Sequence, residues 1–241
     1  MLEQNGIPVL ALIVEPLVAI GMTILAVSGF IKYFEKRREP TLYLTLSFVF
    51  YSLGIACSGI GKWLQFFSNV SPEEIAFAGG TILIAYCLTA LATVFLMVFV
   101  DLVFLEVGPW FVASVSIING ITLGMMFMKL SFTGDPYTTA LYVVIYHALV
   151  TLALVLLLAI LSFREARQNK ERLPKIGFTF IGLYGIFVCM VFVLFAIDIA
   201  LGGGYSTFYY LAWISAGIGS LCGFVGYIMP DWFKKLLKVQ G

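Results

Sequence analysis

Charge is scarce in this sequence. Asp, Glu, Lys and Arg make up 11% of its 241 residues, against about 25% in an ordinary soluble domain. The hydrophobic share is 61% and the mean hydropathy +1.04, too apolar for a single water-soluble core. The composition is that of an integral membrane protein. Fourteen basic and thirteen acidic residues nearly cancel, which excludes the strong positive field that nucleic-acid binding uses. There is one histidine. That excludes bis-His haem and a multi-His zinc centre unless a partner supplies the other ligands. Four cysteines without a CxxC spacing exclude a disulfide scaffold and a zinc ribbon. Cys57, Cys87, Cys189 and Cys222 read as small packing residues.

Long apolar runs are what the sequence has in abundance. A membrane helix needs roughly 20 mostly apolar residues to cross about 30 Å of hydrocarbon. Seven runs meet this length, at 7–31, 42–62, 75–100, 109–129, 138–163, 176–200 and 206–229. The breaks carry turn chemistry: Lys36-Arg37-Arg38-Glu39-Pro40, Ser71-Pro72, Gly108-Pro109, Gly134-Asp135-Pro136, Leu173-Pro174 and Gly202-Gly203-Gly204. Little chain is left for a soluble domain. The expectation is an all-α bundle of seven transmembrane helices over 1–229, followed by a short tail at 230–241.

Basic residues predict the orientation. Lys32, Lys36, Arg37 and Arg38 lie around the first loop, Arg164, Arg167, Lys170, Arg172 and Lys175 around the fifth, and Lys234, Lys235 and Lys238 in the tail. Only Lys62 and Lys129 sit at the other side. Twelve against two places the N-terminus outside and the C-terminus in the cytoplasm, as in a multi-pass protein of the cell membrane. Met1 to Pro8 carry no base, so the first run reads as a retained span rather than a cleaved signal. Asn69-Val70-Ser71 is a glycosylation sequon in an outside loop. In the tail, Pro230 suits a first helical turn. Trp232, Phe233, Leu236 and Leu237 can then share one face, with Lys234, Lys235 and Lys238 opposite. That is a short amphipathic helix for an anionic leaflet.

Membrane helices associate through small residues and interhelical hydrogen bonds. GxxxG spacings occur at Gly120–Gly124 and Gly219–Gly223. They read as intrachain packing, with a homodimer contact as the alternative. Pro40 and Pro174 each follow a basic loop and precede an aromatic stretch, an outline that suggests a 3+1+3 repeat.

Ionisable groups inside a span are costly and usually face the protein interior. Glu15 lies roughly 12 Å and His147 roughly 14 Å into their spans at 1.5 Å per residue. Asp198 is near the outer end of the sixth. Tyr142, Tyr146, Tyr209, Tyr210 and Trp213 fall in the same outer halves. The functional reading is an outward-opening pocket of Glu15, His147, Asp198, Tyr146, Tyr209 and Trp213 that binds a small ligand or senses protons. The plain alternative is structural: Glu15 satisfied at a Pro16 distortion, His147 a hydrogen-bonded core residue, Asp198 and the tyrosines interface anchors. Asn119 reads as an interhelical hydrogen bond. Asp101 and Glu106 read as partners for the inner bases.

Several seven-span families are excluded by residue. The last span lacks the Schiff-base lysine that retinal needs. Val100-Asp101-Leu102 stands where G-protein-coupled receptors carry E/D-R-Y, and Tyr227-Ile228-Met229-Pro230 is no NPxxY. There is no rhomboid GxSx serine with its histidine, and no Pro-Gln pair of the PQ-loop carriers. The basic cluster, Pro40-Thr41-Leu42, Leu46-Ser47-Phe48 and Leu53-Gly54 within residues 33–56 resemble the first inner loop and second span of seven-helix sensor modules of archaea and bacteria. Met229-Pro230-Asp231-Trp232-Phe233-Lys234-Lys235-Leu236 resembles their exit helix. Such modules lead into a cytoplasmic kinase or cyclase domain. The resemblance implies that a chain ending at Gly241 signals through a partner. The expectation is a non-enzymatic membrane receptor or sensor without a cofactor. The alternatives are a small-solute or proton-coupled transporter, or a structural subunit of a membrane complex.

Overall fold

The computed structural model describes residues 3–4, 7–67, 72–131, 136–201 and 205–237, with side chains described at 7–67, 81, 84–125, 143–201 and 205–237. Lys129, Tyr142, Lys238 and the sequon at Asn69–Ser71 are not among the described side chains.

The chain is a helical bundle. Its helices are α1 (Val9–Lys36), α2 (Glu39–Phe67), α3 (Pro72–Val100), α4 (Pro109–Ser131), α5 (Pro136–Gln168), α6 (Arg172–Ala200), α7 (Thr207–Ile228) and α8 (Asp231–Leu236). Pro72, Pro109 and Pro136 each open a helix, where a missing N–H costs nothing and φ is already helical. Among the described residues six helices, all but α4 and α8, are long and apolar enough to cross a membrane; α4 contributes a shorter apolar stretch, Pro109–Met125. The protein is therefore a multi-pass membrane protein. The apolar runs of the sequence extend at most helices by a few residues into polar ends, because backbone hydrogen bonding continues past the hydrocarbon-length segment.

Two details depart from the sequence reading. Glu3–Gln4 (β1) and Ile7–Pro8 (β2) form a small antiparallel pair before α1. The hairpin signal Asn5-Gly6 stands between them and is missed when Ile7 is taken as the start of a span. Beyond Val100, Asp101–Leu105 widens into a π-helical turn. The Asp101 carboxylate accepts from the Val107 and Gly108 amides at 3.0 and 3.2 Å. It thus ends α3 and sets up α4, and among the described residues it forms no ion pair with the bases.

From α1 to α7 each helix packs on its chain neighbours, and α1 also packs against α7. The helix ends alternate, so the C-termini of α1, α5 and α7 share one end with the N-termini of α2 and α6. We call it the basic end, since it holds Lys32, Lys36, Arg164, Arg172 and Lys234. The core lies along the middle, around Leu25, Leu44, Phe48, Leu96, Val155 and Leu158. Small residues set the closest approaches. A Cβ on Gly226 would come within 3.0 Å of the Gly177 carbonyl, so α6 and α7 touch backbone to backbone there. Gly219 and Gly223 also face neighbours, Phe187 on α6 and Leu25 on α1. The other GxxxG behaves differently: Gly120 and Gly124 on α4 are exposed and have no described neighbour within 4 Å of a Cβ. Asn119 is buried but donates within its own helix, to the Val115 carbonyl at 3.0 Å.

α7 ends at Met229 in the left-handed region. Lys32 of α1 donates to its last carbonyls, of Tyr227 and of Ile228, a favourable place for a cation. α8 docks by Phe233, buried edge-on against Phe180 at 5.5 Å, while Trp232 and Leu236 stay exposed. The four apolar residues of the tail therefore do not share one fate: one is an anchor into the bundle, and two face outward.

Candidate functional site

The end opposite the basic end holds most of the buried charge. Glu15 sits on α1 just before Pro16, with no solvent exposure. Pro16 has no N–H to offer the carbonyl of Leu12, four residues back. Trp63 of α2 takes that vacancy: its indole Nε1 donates to the Leu12 carbonyl at 3.0 Å. The adjacent Lys62 forms an ion pair with Glu15. One turn of α2 thus satisfies both the freed backbone acceptor and the buried acid of α1.

The remaining partners complete the shell. Ser58, one turn before Lys62, donates to Glu15 Oε2 at 3.3 Å. Tyr209 of α7 donates its phenol proton to Glu15 Oε1. The Lys62 ammonium lies 3.2 Å from the Tyr209 hydroxyl and over the faces of Tyr209 and Trp213, 5.1 and 6.0 Å from their centroids. Trp213 follows Tyr209 by one turn, and Phe195 of α6 closes on both rings, tilted against Tyr209 and edge-on to Trp213. The group joins α1, α2 and α7 through one carboxylate. Lys62 remains 14% exposed, so the cluster reaches the surface through the lysine.

Asp198 belongs to the same end but has a different task. It is buried near the end of α6, and its Oδ1 accepts the Ser206 amide at 3.0 Å. Ser206 in turn caps α7 by accepting from the Phe208 amide. A carboxylate there complements the positive end of the α7 dipole. Tyr205, between α6 and α7, sits near both acids. Its phenol is pushed up to about 12 by burial first, then by the Glu15 carboxylate, Tyr210 and Asp198.

His147 stands elsewhere. It is fully buried on α5, with Nε2 3.0 Å from the Thr89 hydroxyl of α3. Tyr86 and Phe192 meet the ring edge-on at 5.4 and 6.3 Å. Its Nδ1 has no hydrogen-bond partner among the described residues. Tyr146 points another way again and donates to the Ile118 carbonyl of α4 at 3.1 Å.

The structure therefore brings Glu15, Tyr209 and Trp213 into contact and places Asp198 near them. It does not bring His147 or Tyr146 to that group. Three members were missed by the sequence reading. In the sequence Lys62 only ends the second run on the outer side, Ser58 is one of its small residues, and Trp63 lies one residue beyond it. A signal existed: Glu15 lies 21 residues before the end of α1 and Lys62 23 residues after the start of α2. An antiparallel hairpin sets those positions level.

The arrangement encloses a carboxylate, an ammonium, a phenol and a serine hydroxyl in mutual contact. What it can do is hold opposite charges inside an apolar bundle and exchange them for a ligand's. An apolar groove of about 520 Å³ lined by Ile60, Trp63, Leu64 and Phe67 runs along α2 beside it. Among the described residues no three of His, Cys, Asp and Glu converge as metal ligands. The chain matches no family model, and no curated protein or solved structure is significantly similar to it.

Proposed function

We propose that this protein is a seven-helix membrane receptor or sensor whose responsive element is the Glu15–Lys62–Tyr209 cluster. In this reading α4 is the seventh span. The basic end faces the cytoplasm, in line with its excess of lysine and arginine, and the cluster opens outward. One observation carries the proposal: a carboxylate with no exposure ties three helices together through a cation and a phenol. A buried ion pair is poor value as a stabiliser, because desolvation offsets most of the attraction. In a span, such a pair marks function by default. A small charged ligand, or a proton, competes for one member of the pair. Release of Glu15 frees α2 and α7 from α1. The shift passes along α7 to the basic end, where a cytoplasmic partner reads it.

A structural-subunit reading is favoured by a different observation, the exposed GxxxG face of α4. A second membrane chain or a second copy would cover it. The 3+1+3 transporter is served less well. The two buried polar groups join α1, α2 and α7 on one side and α3, α5 and α6 on the other, not the first three helices and the last three.

The test is intrinsic tryptophan emission of the protein in lipid nanodiscs, since Trp63 and Trp213 both border the cluster. Carboxylates, amines, amino acids and pH are varied from outside. The expected result is a saturable change that disappears in the double variant Glu15→Gln, Lys62→Met. A wild-type emission that no ligand and no pH between 5 and 8 alters, with the bundle folded, overturns the sensor reading and leaves the cluster a helix tie.

A further inference from the structure

The basic end contains a cleft of about 830 Å³ between the ends of α1, α2, α3, α6 and α7. That size lies within the range of small-ligand pockets. Its rim is cationic: Lys32, Lys36, Arg38 and Lys234 line it, against Glu35 and Asp231. Asp231 is already engaged by Lys234 at 2.8 Å. Deeper in, the lining turns apolar, with Phe99, Phe178 and Ile181. Lys32 stands where the two zones meet. Its ammonium carries three donors, and two reach the Tyr227 and Ile228 carbonyls. The third is left for an incoming oxygen. Arg37, in the same loop, is turned away and stacks over Tyr33 and Phe34.

We propose that this cleft binds a phosphate group carried on an apolar body, the phosphate on the rim of Lys32, Lys36 and Arg38 and the apolar part against Phe99 and Phe178. The order of the two zones matches a lipid at the bilayer surface: cations at headgroup depth, apolar lining toward the bundle interior. A soluble phosphate compound would use the rim and leave the apolar floor unfilled. The inference is independent of what the Glu15 cluster does.

The experiment is native mass spectrometry and a binding titration of the full chain, delipidated in neutral detergent. The probes are phosphatidic acid, phosphatidylcholine and inorganic pyrophosphate. Phosphatidic acid is expected to bind in a single retained copy, at least tenfold tighter than either other probe. Lys36→Gln with Arg38→Gln is expected to weaken it about tenfold. Lys170→Gln with Arg172→Gln removes the same charge from the same end outside the cleft, and is expected to change affinity less than twofold. Equal losses in the two double variants would mean diffuse attraction to a basic surface and overturn the site. Pyrophosphate binding as tightly as phosphatidic acid would overturn the apolar half of the proposal.

Discussion

Glu15 and His147 are both shut off from solvent, and their surroundings could hardly differ more. Glu15 has a cation, a phenol and a serine hydroxyl around its two oxygens. His147 has one threonine hydroxyl and two aromatic edges, and one ring nitrogen has no partner among the described residues. The acid joins α1 to its hairpin partner α2 and to α7, far along the chain. The imidazole fills a gap between α3, α5 and α6. Burial alone therefore says little about what an ionisable residue does in a bundle. The number and charge of its partners say more, because an unbalanced charge in a low-dielectric interior is costly while a neutral ring is close to an apolar one.

The largest effect should come from breaking the pair on one side. Lys62→Met leaves a carboxylate buried without its cation, and we expect a loss of about 3–5 kcal/mol in unfolding by SDS titration from mixed micelles. Adding Glu15→Gln should return most of it, since both charges are then gone. A single variant as stable as wild type would mean that the carboxylate finds water, and the contrast with His147 would collapse. Tyr209→Phe removes one hydrogen bond to a charged acceptor and keeps the ring packing. Its expected cost is smaller, about 1.5–3 kcal/mol, in the same titration.

His147→Leu sharpens the comparison from the other side. The change removes the unpartnered Nδ1, and the Thr89 hydroxyl keeps the Tyr86 carbonyl at 2.9 Å. The expected change is within about 1 kcal/mol of wild type, as for other replacements that strand no buried group. A cost near that of Lys62→Met would show that the imidazole works harder than its contacts imply, and would return it to the list of responsive groups.

The helices were legible because seven long apolar runs broken by Pro, Gly and charge leave few other folds. The buried acid was legible for the same reason: Glu15 stands alone in an apolar run. Its partner was not, because Lys62 lies at the edge of its run, where a lysine is ordinarily an anchor with its head in the interface. Only the register of the α1–α2 hairpin tells the two roles apart. Depth misled in the case of His147. Equal depth in two spans sets a common level, but which side of the helix faces which neighbour depends on rotation and on ring order. Those follow from close approaches such as Gly177 against Gly226 and Gly185 against Ala159, which composition does not rank. The β1–β2 pair and the π-helical turn escaped because each is only a few residues long, too short to leave a periodic pattern.

The second ion pair gives the smallest expected effect and the cleanest contrast with the first. Lys234 and Asp231 lie one turn apart on α8, on the surface. Lys234 holds the Asp231 carboxyl below its ordinary value of 3.8, first by hydrogen bond and then by charge. A carboxyl lowered by folding contributes stability above its unfolded value and loses it as pH falls through the folded one. The contribution should therefore be present at neutral pH and fade below about pH 4. Exposed pairs contribute little and are screened by salt. The docking of α8 instead rests on Phe233 against Phe180. Asp231→Asn should leave the global unfolding midpoint unchanged and only quicken amide exchange in α8, an effect that high salt reproduces in the wild type. If Asp231→Asn instead loosens the bundle as Phe233→Ala should, then charge and not the aromatic contact holds the helix, and these two ion pairs are more alike than their burial implies.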